Sequence, residues 1–379
     1  MGKVGITKTD NGIKEGLIDA LDLIGGLSNF VERNDRVMLK PNLNGVTGLT
    51  NIVLTESLLQ LLLDCRVKKI IIAESTFGDK RNTDRLFKET GYAALAKRYG
   101  IELVNLNASE AIVTPVKNPL ITDRVKIAKE VFEADKIINL PNMKVHYATG
   151  ISLSLKNLKG FLVGREKRRF HEIGLDDAIV DLNNTIKPHL SIIDCISCME
   201  GMGPFGGDII DLNLIIAGVN SAEVDFIGST VMGYELHEVR HLAKFIELNN
   251  IDLKKIQVIG ERIETVRHPF TKVDFGNVIP EKITMHSRNA CSTCENAFLL
   301  SCKFLEGIIN TDIDVYIGSL HDEICKSAKY KIAFGNCCRS GSNFTAKIKG
   351  CPPLPFRLNE CLNKFGVIGK DKDNHLGKG

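Results

Sequence analysis

The amino-acid sequence predicts an α/β protein: a mostly parallel, three-layer sheet followed by a smaller, cysteine-rich α+β C-terminal unit. Three observations lead there. Short, near-continuous apolar runs alternate with amphipathic stretches through the first 265 residues, the pattern of parallel strands covered on both faces by helices. Beyond that point the alternation fades, and eight of the eleven cysteines lie after residue 290. The chain is also long enough, at 379 residues, for two cores.

Taken in order, Arg36-Val-Met-Leu-Lys40, Lys69-Ile-Ile-Ile-Ala73, Lys136-Ile-Ile-Asn-Leu140, Leu190-Ser-Ile-Ile-Asp194, Leu214-Ile-Ile-Ala217 and Ile256-Gln-Val-Ile259 read as buried strands. Each is short, rich in β-branched residues and bounded by polar or turn residues, which separates it from a helix segment. Helical spacing is expected over 12–27, 55–66 and 83–99, with Cys65 as a core residue of the second of these. Residues 1–265 are therefore expected to form one α/β domain and 266–379 a second, cysteine-rich unit.

Composition narrows the function. A net charge of +3, no tryptophan and 6% aromatic residues argue against nucleic-acid binding. No run of about 18 apolar residues is present, so no membrane span is expected. The first residues lack an apolar leader, which points to a reducing cytoplasm and away from disulfides; an oligomer is left open.

In that setting the late cysteines suggest a metal centre. They include Cys291-Ser-Thr-Cys294, then Gly335-Asn-Cys337-Cys338, then Gly350-Cys351-Pro-Pro. Thiolates are the usual ligands of iron–sulfur clusters. Cys291, Cys294, Cys337 and Cys351 are expected to ligate one centre, a [4Fe–4S] cluster, in an anaerobic setting if it is exposed. Structural zinc is the alternative, since two thiolate pairs suit a tetrahedral ion, and unliganded thiols are a third reading. Adjacent residues of an extended chain point apart, so only one of Cys337 and Cys338 is expected to bind. Cys302 or Cys338 is the expected substitute ligand. Cys195 and Cys198 share C-x2-C spacing, but a strand entering a loop turns them apart; they read as structural, with a redox or second-metal role as the alternative.

Ligands of parallel sheets bind beyond the carboxyl ends of the strands. Lys40, Asn42, Glu74, His146, Lys156, Asn157 and Glu200 are expected to line one cleft there. Lys40, Asn42, Glu74 and Asn157 are the candidate binding groups, and His146, Lys156, Glu200 and His171 the candidate catalytic groups, the histidines as proton carriers near neutral pH. Ser152, Ser154 and Lys156 alternate with leucines, which predicts an extended piece with one polar face. Lys40, Lys144 and Lys156, with the run Arg165, Lys167, Arg168 and Arg169, outnumber Glu74, Glu200 and Asp208. Such a cleft selects a small anionic substrate or the acidic face of a redox partner, unless the 165–169 run is simply a solvated turn. Neither a phosphate-loop nor a dinucleotide-fold glycine motif is present.

The runs Met38-Leu-Lys40-Pro41-Asn42-Leu43, Ala134 to His146, Leu155-Lys156-Asn157-Leu-Lys-Gly160, Met199-Glu200-Gly201-Met-Gly203-Pro204 and Ala217 to Asp225 with Met232-Gly233 resemble the domain-of-unknown-function 362 family. The resemblance spans roughly residues 1–265, and the Gly-Asn-Cys337 and Gly-Cys351-Pro-Pro elements look like the cysteine-bearing end of many members. It implies an iron–sulfur protein, often with a ferredoxin-type insertion; the C-x2-C-x2-C-x3-C-P run of such an insertion is missing here. The expected function is an iron–sulfur oxidoreductase or electron-transfer protein acting on a small anionic compound. The alternatives are a non-redox lyase or transferase using an open cluster iron as Lewis acid, and a binding protein that delivers a cluster or metal.

Overall fold

A computed structural model describes residues 2–77, 79–204, 206–319, 328–338 and 344–369. Phe205 and the polar tail at 370–379 lie outside them. The chain divides into two compact units, Met1–Lys167 with Asp176–Lys272, and Arg168–Leu175 with Val273–Gly379. The boundary expected at 265 thus falls at 272, and a short stretch from the middle of the chain belongs to the second unit.

The strands of the first unit are β1 (Lys3–Lys8), β2 (Arg36–Pro41), β3 (Lys69–Glu74), β4 (Glu102–Asn105), β5 (Ala111–Pro115), β6 (Arg124–Ala128), β7 (Lys136–Leu140), β8 (Asn142–His146), β9 (Gly150–Ser152), β10 (Leu190–Glu200), β11 (Asp208–Gly218) and β12 (Gln257–Gly260). The main sheet runs β12-β1-β11-β10-β7-β2-β3-β4, with β8 beside β10 and β9 beside β8, while β5 and β6 form a separate ribbon. Strands β10, β7, β2, β3 and β4 pair in parallel, so their carboxyl ends share an edge. The run at 214–217 departs from that direction, because β11 is antiparallel to both β1 and β10. The loop between β10 and β11 is too short for a crossover and closes a hairpin instead. Strand β1 was not expected: Gly5 and Thr7 dilute its apolar run, yet Val4 to Thr7 are buried.

Helix Ile52–Asp64 shows how the layers form. Asn51 caps it, its side chain accepting the Val53 N–H at 2.9 Å. Leu54, Leu58, Leu59 and Leu62 then recur on one face and join Val37, Leu39, Ile70 and Ile72 of β2 and β3 in one core. Each leucine so buried contributes about 1.5–3 kcal/mol. The helix expected at 83–99 is two, Lys80–Glu89 and Tyr92–Tyr99, because Gly91 adopts φ 83° and breaks the spiral. Among the described residues no helix is long and apolar enough to cross a membrane.

The second unit contains β13 (Ile283–Arg288), β14 (Ile308–Ile309), β15 (Ile313–Gly318), β16 (Tyr330–Phe334), β17 (Ala346–Ile348) and β18 (Ile368–Gly369). Its four-stranded sheet, β13-β15-β16-β17, is parallel throughout, and β14 pairs with β18. The carboxyl ends of β13, β16 and β17 therefore lie along one edge, and the late cysteines follow those three strands.

Candidate functional site

In the first unit, the parallel register sets Lys40 of β2 opposite Asn139 of β7 and ends β3 alongside at Glu74. The Lys40 ammonium donates to Glu74 Oε2 at 2.6 Å and to the Pro41 carbonyl at 2.9 Å, with both side chains buried. Gly160 lies against this pair, and a Cβ there would stand 2.1 Å from Glu74 Oε1 and 2.5 Å from Lys40 Nζ. A Cβ at this position would force the ends of those two side chains to shift. Ser75 Oγ holds the same backbone, donating to the Gly160 carbonyl at 2.5 Å.

A chain of amides extends from the pair. Asn42 donates to Asn157 Oδ1 at 2.9 Å, Asn157 to Asn139 Oδ1 at 2.8 Å, and Asn139 to the Ser154 carbonyl at 3.0 Å. Lys144 donates to Asn42 Oδ1 at 2.7 Å and to the Gly48 carbonyl at 2.6 Å. Such networks are stable only when nearly every member is satisfied. The segment expected to be extended turns helical at Ser154, because the Asp225 carboxylate accepts the N–H groups of Ser154 and Leu155 at 2.7 and 2.8 Å. That turn brings Lys156 back to Ser152, its ammonium 3.3 Å from Ser152 Oγ.

The basic run splits. Arg165 and Arg168 are exposed, whereas Lys167 is buried and donates to the carbonyls of Ser75 at 2.7 Å and Thr76 at 2.9 Å, and to Ser75 Oγ. These residues lie at the start of helix Glu166–Ile173, where neighbours in sequence point to different sides. Burial depresses the site's lysines: Lys144 to about 8, Lys159 and Lys167 to about 7, and Lys156 well below the usual range. Lys40 is also lowered by burial, with Glu74 opposing the shift. The lysines push one another down, Lys159 and Lys144 acting on Lys156, and Lys40 and Lys159 on Lys167.

Other expected residues do not join this network. Glu200 accepts the backbone N–H of Thr271 at 2.8 Å and pins that segment to the base of the β10–β11 hairpin. His146 accepts the Ala148 N–H at 3.1 Å and stacks on Tyr147. Asp194 is buried, accepts the N–H groups of Asn51 at 2.6 Å and Ile196 at 3.0 Å, and has its carboxyl raised by burial to about 6. His171 belongs to the second unit, where its carbonyl accepts the Cys351 N–H. Asn139, Ser75, Lys159 and Gly160 were not singled out from the sequence. Asn139 carried a usable signal, an amide inside an otherwise apolar strand, since buried amides need partners.

In the second unit Cys291 precedes helix Ser292–Lys303 and Cys294 lies in its first turn, just after β13. Cys337 follows β16 and Cys351 follows β17. The two loops are laced together, Asn336 N–H to the Gly350 carbonyl and Gly350 N–H to Asn336 Oδ1, both at 2.9 Å. Gly335, at φ 101°, lies so close that a Cβ would stand 3.4 Å from Cys294 Sγ. Cys294 shares a hydrogen bond with Cys291, and this bond, burial, and the nearby Cys351 and Cys337 all push its thiol far up. Cys291, Cys337 and Cys351 are all near enough to Cys294 to influence its thiol.

Cys338, Cys302, Cys195 and Cys198 are all buried. Cys338 packs with Tyr316 and Ala333 in a small apolar cluster while Cys337 is exposed. Burial raises Cys302 to about 12, and Cys195 and Cys198 lie buried within β10 with thiols well above the ordinary value. Among the described residues, no three His, Cys, Asp or Glu side chains are grouped to hold one metal ion as they stand. A four-iron cluster places its thiolates on separate irons, further apart than around one ion. Four soft donors from three loops, with glycine backbone against one of them, suit such a group.

The chain is 29% identical over 225 residues to the thylakoid-associated protein sll1697 of Synechocystis, covering 56% of this chain and 67% of that one. Among solved structures, it is similar to the lactate racemase apoprotein of Thermoanaerobacterium thermosaccharolyticum, at 12% identity and a TM-score of 0.40 over 83% of this chain and 69% of that one. A Thermotoga maritima protein gives 14% and 0.39 over 83% and 73%. The model of the family described as Domain of unknown function (DUF362) matches residues 37–230, just over half the chain and the stretch that holds Lys40, Glu74, Asn139, Lys144 and Asn157. The chain belongs to that family.

Proposed function

We propose that the chain is an iron–sulfur protein, an oxidoreductase or electron-transfer protein of a reducing cytoplasm, acting on a small anionic compound. Cys291, Cys294, Cys337 and Cys351 would hold the cluster, which when bound supplies one-electron transfer. The observation that carries this reading is the shared environment of the four thiols, in which Cys294 is hydrogen-bonded to Cys291 and feels both Cys337 and Cys351. Thiols crowded together hold their protons tightly; a metal cation reverses that preference, because the thiolate is the ligand. The start of helix Ser292–Lys303 adds a partial positive charge beside Cys291 and Cys294, which also favours thiolate. The lysines of the first unit support the anionic part of the reading, since their ammonium groups are the strongest charged donors there.

Anaerobic purification followed by iron and acid-labile sulfide assays tests the proposal. The expected result is about four of each per chain, with an electron-paramagnetic signal on reduction. Cys291→Ser and Cys351→Ser should each lose most of the iron and sulfide. Full content in both variants, or zinc without sulfide in the parent protein, overturns the cluster.

A further inference from the structure

We infer that the second unit holds a pocket of its own, between β17 and the helix Phe356–Lys364, for a small compound that carries anionic groups on an apolar body. The inference is separate from the lysines of the first unit and needs no metal. Its basis is a cavity of about 410 Å³ walled by residues of this unit alone. Small-molecule sites enclose roughly 300–1,000 Å³, far more than one ordered water needs. Two elements build the walls. On the strand side, Lys347 and Lys349 are two apart, so their side chains leave on the same side of the extended chain. On the helix side, Arg357, Glu360, Cys361 and Lys364 are spaced i, i+3, i+4, i+7 and form one stripe.

The charge of these walls selects the ligand. Lys347, Lys349, Arg357 and Lys364 line the cavity against two acids, Glu172 and Glu360. Glu360 is already used, its Oε2 accepting from Arg357 at 2.8 Å. Lys347 donates to the Cys338 carbonyl at 2.7 Å, a neutral acceptor that leaves its charge uncompensated. Lys349 and Lys364 are exposed and have no ion-pair partner among the described residues. Two lysines thus keep their donors for a ligand, and carboxylate or phosphate oxygens are the acceptors that suit them. Phe365, half-buried and stacked on Tyr330 with ring centroids 4.8 Å apart, adds an aromatic wall on which an apolar body packs. The pocket also adjoins the cysteine loops. Lys349 stands two residues before Cys351, the Glu172 carbonyl accepts from the Asn336 side chain, and the neighbouring His171 carbonyl accepts the Cys351 N–H. A ligand here would press on the loops that carry Cys337 and Cys351.

Calorimetric titration of the full chain with isophthalate, isophthalamide and acetate at fixed ionic strength tests the inference. Isophthalate sets two carboxylates on a ring; isophthalamide keeps the ring without the charge, and acetate the charge without the ring. Isophthalate should bind about tenfold or more tightly than either. Lys349→Met and Lys364→Met should each weaken that binding about tenfold, whereas Lys349→Arg should retain most of it. Lys282→Met, just before β13 at the opposite edge of the sheet, should leave it unchanged. These three lysines are exposed, so the variants should fold, which circular dichroism checks. Isophthalamide or acetate binding as tightly as isophthalate, or unchanged affinity in both methionine variants, overturns the pocket. So does an equal loss in Lys282→Met, which would mean that only the overall charge attracts the anion. Iron assayed on the same samples keeps the two readings apart: binding without iron supports the pocket and sinks the cluster alone, and iron without binding sinks the pocket alone.

Discussion

The two polar centres, one in each unit, are built on the same device and make opposite demands. Both stand at the carboxyl ends of parallel strands, where the sheet stops and backbone N–H groups, loops and helix starts collect. In the first unit the groups are hard nitrogen donors, and the chain supplies carbonyl and amide acceptors for Lys40, Lys144 and Lys167. In the second they are soft sulfur atoms, and the hydrogen-bond partner of Cys294 is another thiol. Burial drives the lysines toward losing protons, whereas the hydrogen bond with Cys291, and then burial, drive Cys294 toward keeping its own. Desolvation penalises the charged form, so it lowers an amine and raises a thiol.

Experiments that break this contrast can be ranked by size. The largest effect is expected within the second unit, where Cys294→Ser should abolish cluster loading while Cys302→Ser leaves iron content unchanged. If both variants load equally, the neighbourhood of Cys294 does not define the ligand set. Next comes the ion pair. Lys40→Met or Glu74→Gln alone leaves a buried group without its partner and should lower stability by about 3–5 kcal/mol in denaturant titrations. The double variant Lys40→Met/Glu74→Leu should recover part of that loss; a double variant as unstable as the sum of the singles would mean that the pair matters through packing rather than charge.

Smaller still is Gly160→Ala. Its methyl would collide with both members of the pair, and the shift needed to admit it should lower stability by about 1–3 kcal/mol. A neutral result would mean that the loop around Gly160 yields easily. The gentlest test is pH. Lys159 and Lys167 titrate near 7 in the folded chain against 10.5 for the ordinary side chain, so between those values the unfolded chain binds more protons. Unfolding free energy should therefore rise with pH from about 7 upward through their contribution. Asp194 and Asp225, raised to about 6 from 3.8, act oppositely: their contribution falls as pH climbs across that lower interval. A profile that stays flat above 7 would mean that neither lysine gives up its proton on folding.

Much of this was legible before any coordinates. Apolar runs at 36–40, 69–73, 136–140 and 190–194 named adjacent strands of the main sheet, and the polar residues that follow them named one edge. Lys40 does meet Glu74 and Asn42 does meet Asn157, because β2 and β3 end along one edge and the 154–157 turn reaches back to it. Local sequence, through periodicity and turn residues, determines which segments are strands and which end each side chain occupies. Tertiary structure decided the rest. Asp225 turned the 154–157 segment helical from more than 60 residues away, Asn42 found Asn157 at a separation of 115, and Lys167 turned inward while Arg165 and Arg168 stayed in solvent. Glu200 went to Thr271 for the same kind of reason. A buried polar group takes whichever partner packing brings within reach, and that choice is made by distant parts of the chain rather than by the residues beside it.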